Sequence, residues 1–376
     1  MATRNVSSAA HSDGNMRRNS RKRKRKIIIF AVEIVVILLM IGVLFFVMSS
    51  TKDSEGPLYA SVADLEPIEI GISEEVQEQM EEGGAMNGYL NIAFFGLDAM
   101  STKSSDLLKG YRSDSIMICS INQETYEVKL VSVYRDTYMN LGNDSYNKCN
   151  GAYAKGGATQ AISMLNSNLD LDITNWVTVS YKALSEAIDS LGGISIDVDA
   201  AELEHINNYQ IAIADIMKCD YTPVTATGLQ TLDGIQAAAY CRIRYTAGDD
   251  FKRAERQREV LQAMLEKAKN TDVATLTSAA TSVLNNTYTS LDSDTVMEIL
   301  TNVNKYKVVA EDGFPTSTMR TTATIGSSGS CIVPLSLESN VVWLHQFLFD
   351  DNDYTASSNV KTYSAKVKSD TDRYIE

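Results

Sequence analysis

From residue 89 onward, apolar runs of strand length alternate with stretches that have helical periodicity. This alternation predicts a layered α/β core, because each strand and helix must bury its apolar face against another element. The runs 90–95 and 116–121 are continuously apolar, which is typical of central strands covered on both faces. The predicted strands are residues 90–95, 115–121, 128–134, 176–180 and 194–198, and the predicted helices are residues 157–169, 181–191, 234–240 and 251–269, with further helices at 273–285, 292–306 and 338–349.

The N-terminal part of the chain predicts a membrane anchor. Residues 1–26 are polar and end in an unbroken basic run, which on its own is also typical of nucleic-acid or nuclear targeting. Residues 27–48 contain one charge, Glu33, and as a helix they span about 33 Å, enough for a bilayer core. That run is too long for a cleaved signal peptide. Because basic flanks remain cytoplasmic, we expect a single-pass membrane protein with residues 49–376 outside.

Composition sets the remaining boundaries. Residues 49–87 are rich in Ser, Gly, Glu and Pro and predict an extracytoplasmic stalk, with room for a short helix at 73–82. Residues 88–350 are the predicted globular domain. Residues 351–376 are polar and predict a loose tail.

The five cysteines follow neither a CxxC nor a zinc-site spacing. Cys119 and Cys241 lie in apolar or strand-like runs and are predicted to be inert core thiols. A disulfide between Cys219 and Cys331 is left open by the sequence.

Seven of the nine arginines after residue 26 fall in three clusters of an acidic chain. Residues 27–376 contain 25 Lys and Arg against 47 Asp and Glu, which argues against general nucleic-acid binding. Clustered arginines predict an anion site, because the guanidinium fork suits phosphate or carboxylate. The alternative is that they pair with the many acids. The clusters are Arg112, Arg135 and the group Arg242, Arg244, Arg253, Arg256 and Arg258.

Two acidic residues lie at the ends of the first two strands, on the side where the sheet is expected to bind a ligand. The segment 95–98, which finishes with Asp98, ends the first strand, and in open α/β sheets ligands bind beyond such strand ends. Arg112 and Asp114 are two residues apart and share one face of the next strand. Asp98 and Asp114 could hold Mg2+, which prefers carboxylate and phosphate oxygens. A turn cap for Asp98 and a structural pair for Arg112 and Asp114 are the alternatives.

Arg135 continues the face of Val131 and Val133, so its charge should point inward, where it is costly unless paired. Asp136 should point the other way, which leaves an anionic ligand as the partner of Arg135. Arg242 and Arg244 share a face if their segment is extended. Their mutual repulsion then requires an anion between them, either a ligand or two acids.

Arg253 and Gln257 lie at the N-terminal end of an apolar helical stripe, with Asp249 or Asp250 as the predicted N-cap. An arginine in a first helical turn opposes the helix dipole. A bound phosphate would satisfy both the arginine and the free backbone amides. Arg258 better fits an exposed, salt-bridged helix start.

Motifs for a serine nucleophile, a Walker lysine loop or an HExxH zinc site are absent from the sequence. His205 and His345 are isolated and are predicted to be structural. A mechanism that depends on a histidine base or a covalent serine is therefore disfavoured.

Taken in order, these residues resemble the LytR–CpsA–Psr family of cell-wall enzymes. The resemblance covers about residues 88–270, with a weaker continuation to about residue 350. Lys252 stands where glycine is common and Cys149 where isoleucine is usual, but neither change removes a charged contact. The matching segments are 91–98 (NIAFFGLD), 111–115 (YRSDS), 133–137 (VYRDT), 147–153 (NKCNGAY), 191–194 (LGGI), 232–237 (LDGIQA), 242–244 (RIR) and 250–257 (DFKRAERQ).

The resemblance implies an extracytoplasmic layered α/β/α domain with a central mixed sheet. It implies transfer of a glycopolymer from a polyprenyl pyrophosphate carrier to peptidoglycan, usually to the 6-hydroxyl of N-acetylmuramic acid. The isoprenoid chain would lie in an apolar tunnel between sheet and helices. By the same match, Asp98 and Asp114 would hold Mg2+ (or Mn2+), Arg112, Arg135, Arg242, Arg244, Arg253 and Gln257 would bind the pyrophosphate, and Asp136, Lys148, Asn150, Asp250 and Arg256 would orient them.

This implied chemistry agrees with the residues present. Cleavage of a pyrophosphate bond needs charge neutralisation and in-line positioning of the acceptor more than covalent help. A membrane anchor, expected here in a Gram-positive bacterium, keeps the domain beside its lipid donor. Teichoic acid, capsule and secondary wall polysaccharide remain open as the polymer. A lipid-pyrophosphate phosphatase and a non-catalytic envelope regulator are the competing hypotheses; the short basic tail ends at the membrane and disfavours nucleic-acid binding.

Overall fold

The computed structural model describes residues 70–97, 110–142, 144–244, 249–269, 271, 287–291, 295, 302 and 305–375. None of the helices formed by these residues combines the length and apolar character needed to cross a membrane. The predicted membrane helix at 27–48, the basic tail, Asp98 and the predicted helix at 273–285 lie outside the described residues, as does most of the predicted helix at 292–306.

A mixed six-stranded sheet forms the centre of the domain, as the sequence predicted. The order across it is β10-β3-β2-β1-β6-β9, with β1 antiparallel to β2 and parallel to β6. All five predicted strands are confirmed, although β7 pairs with β8 outside the central sheet. The strands are β1 Tyr89–Leu97, β2 Ser113–Asn122, β3 Glu127–Val133, β4 Tyr138–Asn140, β5 Tyr146–Lys148, β6 Asn175–Ser180, β7 Ile194–Val198, β8 Gly228–Leu232, β9 Thr287–Thr289, β10 Lys307–Phe314, β11 Arg320–Ile325 and β12 Gly329–Pro334.

The described helices confirm the predictions at 157–169, 181–191, 234–240, 251–269 and 338–349. The first of them begins six residues earlier than predicted and kinks at Gly156 and Gly157. The helices are α1 Glu74–Glu81, α2 Gly151–Leu169, α3 Tyr181–Ser190, α4 Ala200–Met217, α5 Gly234–Tyr240, α6 Asp249–Lys269, α7 Leu337–Phe349 and α8 Ser358–Thr371.

The strand period of two divides the sheet residues between two cores. Phe95, Ile118 and Val131 face α2 and α7 and belong to the larger core. Ile92 and Leu130 face the opposite side, in a smaller core. A third core joins α3, α4, α5 and α6 to the two-stranded β7–β8 sheet. The packing of this third core places the segment after α5 near the central sheet.

The C-terminal residues pack against the domain, so the expectation of a loose tail at 351–376 is wrong. Val360 and Val367 of α8 are buried. The buried carboxylate of Asp170 accepts hydrogen bonds from the Tyr354 hydroxyl (2.5 Å) and from the backbone N–H (2.8 Å) and hydroxyl (2.7 Å) of Ser357. Helix α8 is mostly polar because only one narrow stripe of it contacts the core. Its polar composition therefore predicted a loose tail and not a packed helix.

The domain also begins before residue 88. The predicted short helix is confirmed as α1, and Val76 and Met86 are buried in the larger core. Glu75 accepts a hydrogen bond from the backbone N–H of Ser358 at 2.9 Å, which ties α1 to the start of α8. Residues 70–87 are therefore part of the folded domain.

The cysteines are free thiols. Cys119 and Cys241 are buried, as predicted, and burial raises the pKa of the Cys241 thiol to about 12. Cys219 is exposed while Cys331 is buried, so the disulfide that the sequence left open does not form.

Candidate anion-binding site

A cleft opens between the central sheet and the first turns of α6. It holds about 460 Å³ of space not filled by protein atoms, and this figure includes open solvent at its mouth. Apolar and small side chains of β2 and β3 form one wall, and charged or polar groups gather at the strand ends. The lining residues are Asp114, Ser115, Ile116, Met117, Ser132, Val133, Tyr134, Arg135, Arg253, Ala254 and Gln257.

Arg135 and Asp114 form an ion pair at the polar end of the cleft. Their side chains are 11% and 9% exposed, so each charge is largely removed from water. The carboxylate therefore supplies part of the counter-charge that a buried guanidinium needs. The sequence had placed Asp114 beside Arg112. In the structure Arg112 is exposed just before β2, and it is outside the set of described residues that line the cleft.

Asp136 is a shared counter-ion at the centre of the site, with its side chain 5% exposed. Its Oδ2 lies 3.4 Å from Arg135 Nε and 3.4 Å from Arg244 Nη2, and its Oδ1 lies 3.3 Å from Lys148 Nζ. The prediction that Asp136 points away from Arg135 is wrong. The chain turns after β3, with Thr137 N–H donating to Tyr134 O at 2.9 Å, so strand alternation ends before Asp136.

Backbone hydrogen bonds hold this turn in place. The N–H of Asn150 donates to Arg135 O at 3.0 Å, and the N–H of Cys149 donates to Thr137 O at 2.8 Å. The thiol of Cys149 lies 3.2 Å from the carbonyl oxygens of both Tyr134 and Arg135. Cys149 is fully buried, and burial raises the pKa of its thiol. The 148–150 segment thus fixes the main chain that carries Arg135.

The segment 241–244 is a turn after α5, so the condition under which Arg242 and Arg244 would share a face is not met. Ile243 N–H donates to Tyr240 O at 3.3 Å, and this chain reversal separates the two arginines. The guanidinium of Arg242 lies between the rings of Tyr181 and Tyr209, 5.6 and 5.7 Å from their centroids. Arg244 instead reaches Asp136.

Two consecutive residues of α6 support that turn. Arg256 is buried, and its Nη1 donates to Ile243 O at 3.3 Å while its Nε lies 2.8 Å from Glu202 Oε1. Gln257 Nε2 donates to Cys241 O at 3.5 Å. Glu202 was not singled out from the sequence, because its position in the Asp199–Glu202 capping box already accounts for an acid there.

Arg253 is 3% exposed and lines the cleft one turn before Gln257. It therefore lies on the inner face of α6, as its place on the apolar stripe predicted. Asp250 is also in the first turn of α6, but its side chain is outside the part of the structure that is described. Among the described residues, the site gathers the basic side chains of Arg135, Arg244, Lys148 and Arg253 around the carboxylates of Asp114 and Asp136.

A metal site is only partly described. Leu97, the residue before Asp98, pairs with Ser113, the residue before Asp114, so the ends of β1 and β2 are neighbours. Among the described residues there is no cluster of three or more acidic, histidine or cysteine side chains. Asp114 offers oxygen ligands at the edge of the cleft, which suits a hard divalent cation that also binds phosphate.

These features define an α/β protein with an arginine-rich site at the strand ends beside an apolar-walled cleft. The family comparison agrees. The protein-family model described as the LytR_cpsA_psr family matches residues 59–341 of this sequence, and the chain belongs to this family.

Characterised relatives align with about half of the chain. The polyisoprenyl-teichoic acid–peptidoglycan teichoic acid transferase TagU of Enterococcus faecalis is 30% identical over 50% of this chain and 58% of its own. Biofilm regulatory protein A of Streptococcus mutans is 30% identical over 47% of this chain and 43% of its own. The alignments thus span about half the length of these relatives.

Solved structures show the same fold. A protein of Streptococcus agalactiae has a TM-score of 0.56 and 22% identity, covering 78% of this chain and 94% of its own. Bacillus subtilis TagT has a TM-score of 0.50 and 20% identity, covering 77% of this chain and 96% of its own. Both match the layered arrangement around the mixed sheet.

Proposed function

We propose that the protein is a membrane-anchored phosphotransferase that moves a glycopolymer from a polyprenyl pyrophosphate carrier to peptidoglycan. The acceptor in this proposal is the 6-hydroxyl of N-acetylmuramic acid. The observation that carries the proposal is the cleft: arginines gather at the strand ends beside a wall of apolar side chains. Membership of the family, and the name of the related TagU, support the same class of donor and acceptor.

In this proposal Arg135, Arg244 and Arg253 bind the diphosphate, and Arg242 and Gln257 complete the site. Positive charge fixed in place before the reaction stabilises the charge that develops on the phosphoryl oxygens. The ion pairs of Arg135 with Asp114 and of Arg244 with Asp136 hold these guanidinium groups in position. The acceptor hydroxyl attacks the phosphorus next to the sugar, the P–O bond to the second phosphate breaks, and polyprenyl phosphate leaves.

Arg112 has a different place in the proposal. It is exposed before β2, beside the segment 98–109 that lies outside the described residues. We therefore assign Arg112 to the phosphate of the donor that lies nearer to the solvent. The apolar wall formed by Ile116, Met117 and Val133 is assigned to the isoprenoid chain.

Mg2+, or Mn2+ in its place, is proposed as the cofactor, held by Asp98 and Asp114. The neighbouring ends of β1 and β2 support this assignment. The ion would supply a Lewis acid for the diphosphate oxygens. Asp114 would then be shared between the cation and Arg135. Transfer should stop in excess chelator and return with added Mg2+, and a full rate in chelator would contradict the metal assignment.

Residues 27–48 are proposed as the anchor that confines the domain to the outer surface of the cell membrane, beside the lipid donor. The apolar length of this segment supports the proposal. Cysteine-accessibility labelling of intact cells tests it, with single cysteines introduced before residue 27 or after residue 49 in a Cys219→Ser background, because the native Cys219 is exposed. Labelling of both positions from outside would contradict this orientation.

Arginine substitutions test the proposed chemistry. Arg135→Ala and Arg242→Ala should each lower transfer by about 100-fold or more, because each removes a preorganised donor to the phosphoryl group. Arg373→Ala is the matched control, since Arg373 is exposed on the last short helix. Normal polymer attachment by both variants in cells that lack paralogues would contradict the site.

The acceptor is tested with purified components. The full-length protein in detergent is given a polyprenyl pyrophosphate-linked saccharide with and without peptidoglycan. Transfer predicts that the saccharide phosphate becomes attached to peptidoglycan. Release of soluble product at the same rate in both reactions would instead indicate a phosphatase, and no turnover in either would favour a regulator.

A further inference from the structure

Arg320 lies outside every sequence motif of the site, at the start of β11, and its guanidinium stacks on two aromatic rings. The Cζ atom lies 4.0 Å from the ring centroid of Phe251 and 4.7 Å from that of Tyr134. Its Nη1 also donates a hydrogen bond to Pro315 O at 2.8 Å. The two rings meet edge to face, with centroids 4.8 Å apart.

These contacts join three elements around the cleft. Tyr134 follows β3 and lines the cleft directly. Phe251 is in the first turn of α6, two residues before Arg253, which also lines the cleft. Arg320 comes from the β11–β12 hairpin, which is separate from the central sheet. One guanidinium thus connects the end of β3 to the start of the helix that carries Arg253.

Tyr134 is confined from another side by β10. A Cβ atom added at Gly313 would lie 2.2 Å from the Tyr134 hydroxyl oxygen and 2.5 Å from its Cζ. The backbone N–H of Tyr134 donates to Phe314 O at 3.0 Å. Because the ring is held between Gly313 and Arg320, it offers Phe251 a fixed surface.

We propose that Arg320 is a positioning residue, which clamps Tyr134 and Phe251 and thereby fixes the first turn of α6 with Arg253 facing the cleft. The role of Arg253 as a diphosphate ligand rests on the proposed function, whereas the clamp itself does not. Arginine suits this position because its planar fork stacks on aromatic rings while its N–H groups donate elsewhere. Lysine keeps the charge but has no planar group to stack.

Hydrogen exchange of the ligand-free, full-length protein tests the clamp directly. In Arg320→Ala, the amides of residues 251–257 should exchange about tenfold faster. In Arg320→Lys they should also exchange faster than in the wild type, but by less, because lysine keeps a cation–π contact and loses the planar stacking. Arg373→Ala is the matched control, since Arg373 stacks on Tyr374 at 4.8 Å near the opposite end of β11. Unchanged exchange in the Arg320 variants would overturn the proposal, whether or not any ligand binds.

A second substitution distinguishes loss of the clamp from a general folding defect. Gly313→Ala presses on Tyr134 from β10, because the three atoms nearest to the added Cβ all belong to Tyr134, and it should also raise exchange at the start of α6. If Arg320→Ala loses its cooperative unfolding transition, Arg320→Lys and Gly313→Ala decide the outcome. Protection equal to that of the wild type in both would refute the clamp.

Binding of geranylgeranyl pyrophosphate by the full-length protein in detergent tests the link to Arg253. Arg320→Ala should weaken binding about tenfold, but should add little in an Arg253→Ala background, because coupled residues are not additive. Additive losses would show that Arg320 acts independently of Arg253 and would overturn this part of the proposal. If the wild type fails to bind this probe, the proposed function is contradicted, and the exchange measurement still judges the clamp.

Discussion

Glu202→Gln is expected to lower the free energy of unfolding by about 3–5 kcal/mol, because it removes a carboxylate charge that pairs with a buried guanidinium. Arg256 Nε lies 2.8 Å from Glu202 Oε1, and the two side chains are 1% and 4% exposed. Glutamine has nearly the same shape as glutamate, so packing is preserved and the lost charge is the main change. The size of the effect follows from burial, since water cannot reach Arg256 to replace the carboxylate.

The same substitution should reach the proposed diphosphate site. Arg256 Nη1 donates to the carbonyl oxygen of Ile243, which lies between Arg242 and Arg244. Loosening Arg256 therefore loosens the turn that carries both arginines. We expect Glu202→Gln to weaken binding of geranylgeranyl pyrophosphate even under conditions where the protein remains folded.

Urea unfolding, followed by tryptophan fluorescence, measures the stability change. The control is Glu255→Gln, because Lys252 and Glu255 also form a 2.8 Å ion pair but are 37% and 48% exposed. Its cost should be below about 1 kcal/mol. The double variant Glu202→Leu with Arg256→Met should recover part of the stability, since an apolar pair needs no counter-charge but loses the hydrogen bonds to Asp199 N–H and Ile243 O. Equal losses for the buried and the exposed pair would refute the reasoning.

Three further predictions concern other parts of the domain. Asp136→Asn removes a counter-charge shared by three cations, so transfer should fall about 10- to 100-fold while circular dichroism stays unchanged; a normal rate would contradict its positioning role. Burial lowers the pKa of His345 from its ordinary value of 6.5. As pH falls below that value the unfolded state gains the proton first, so stability should fall by up to about 1.4 kcal/mol per pH unit. In urea titrations at several pH values, the free energy of unfolding of His345→Gln should depend less on pH than that of the wild type. The same pH dependence in both proteins would exclude this residue as the cause. Asp170→Asn weakens the charged hydrogen bonds from Tyr354 and Ser357 by about 1.5–3 kcal/mol, so limited proteolysis should cleave before α8 faster than in the wild type; equal resistance would count against this anchor.

Hydrophobic periodicity correctly predicted the secondary structure of elements that contact the core along their whole length. The runs 90–95 and 116–121 became β1 and β2 at the centre of the sheet, because a strand buried on both faces is apolar at every position. The helix α8 was missed for the converse reason. It presents only a narrow stripe to the core, so its composition resembles that of a tail.

Charge pairing was much harder to predict than the elements themselves. Strand alternation assigned Asp136 to the wrong side, because the chain turns after β3 and the period of two no longer holds. The ordered motifs pointed to Arg253 and Gln257, but nothing in the sequence connected Arg256 to Glu202. The two are 54 residues apart on different helices.

The sequence by itself determined the mixed α/β architecture, the family and the arginines worth attention, because hydrophobic period and residue order are local properties of the chain. Only the tertiary structure decided which carboxylate faces which guanidinium, and that Arg320 holds Tyr134 against Phe251. Those contacts join distant segments across chain reversals, and their energies depend on distance and burial, which follow only from how the elements pack.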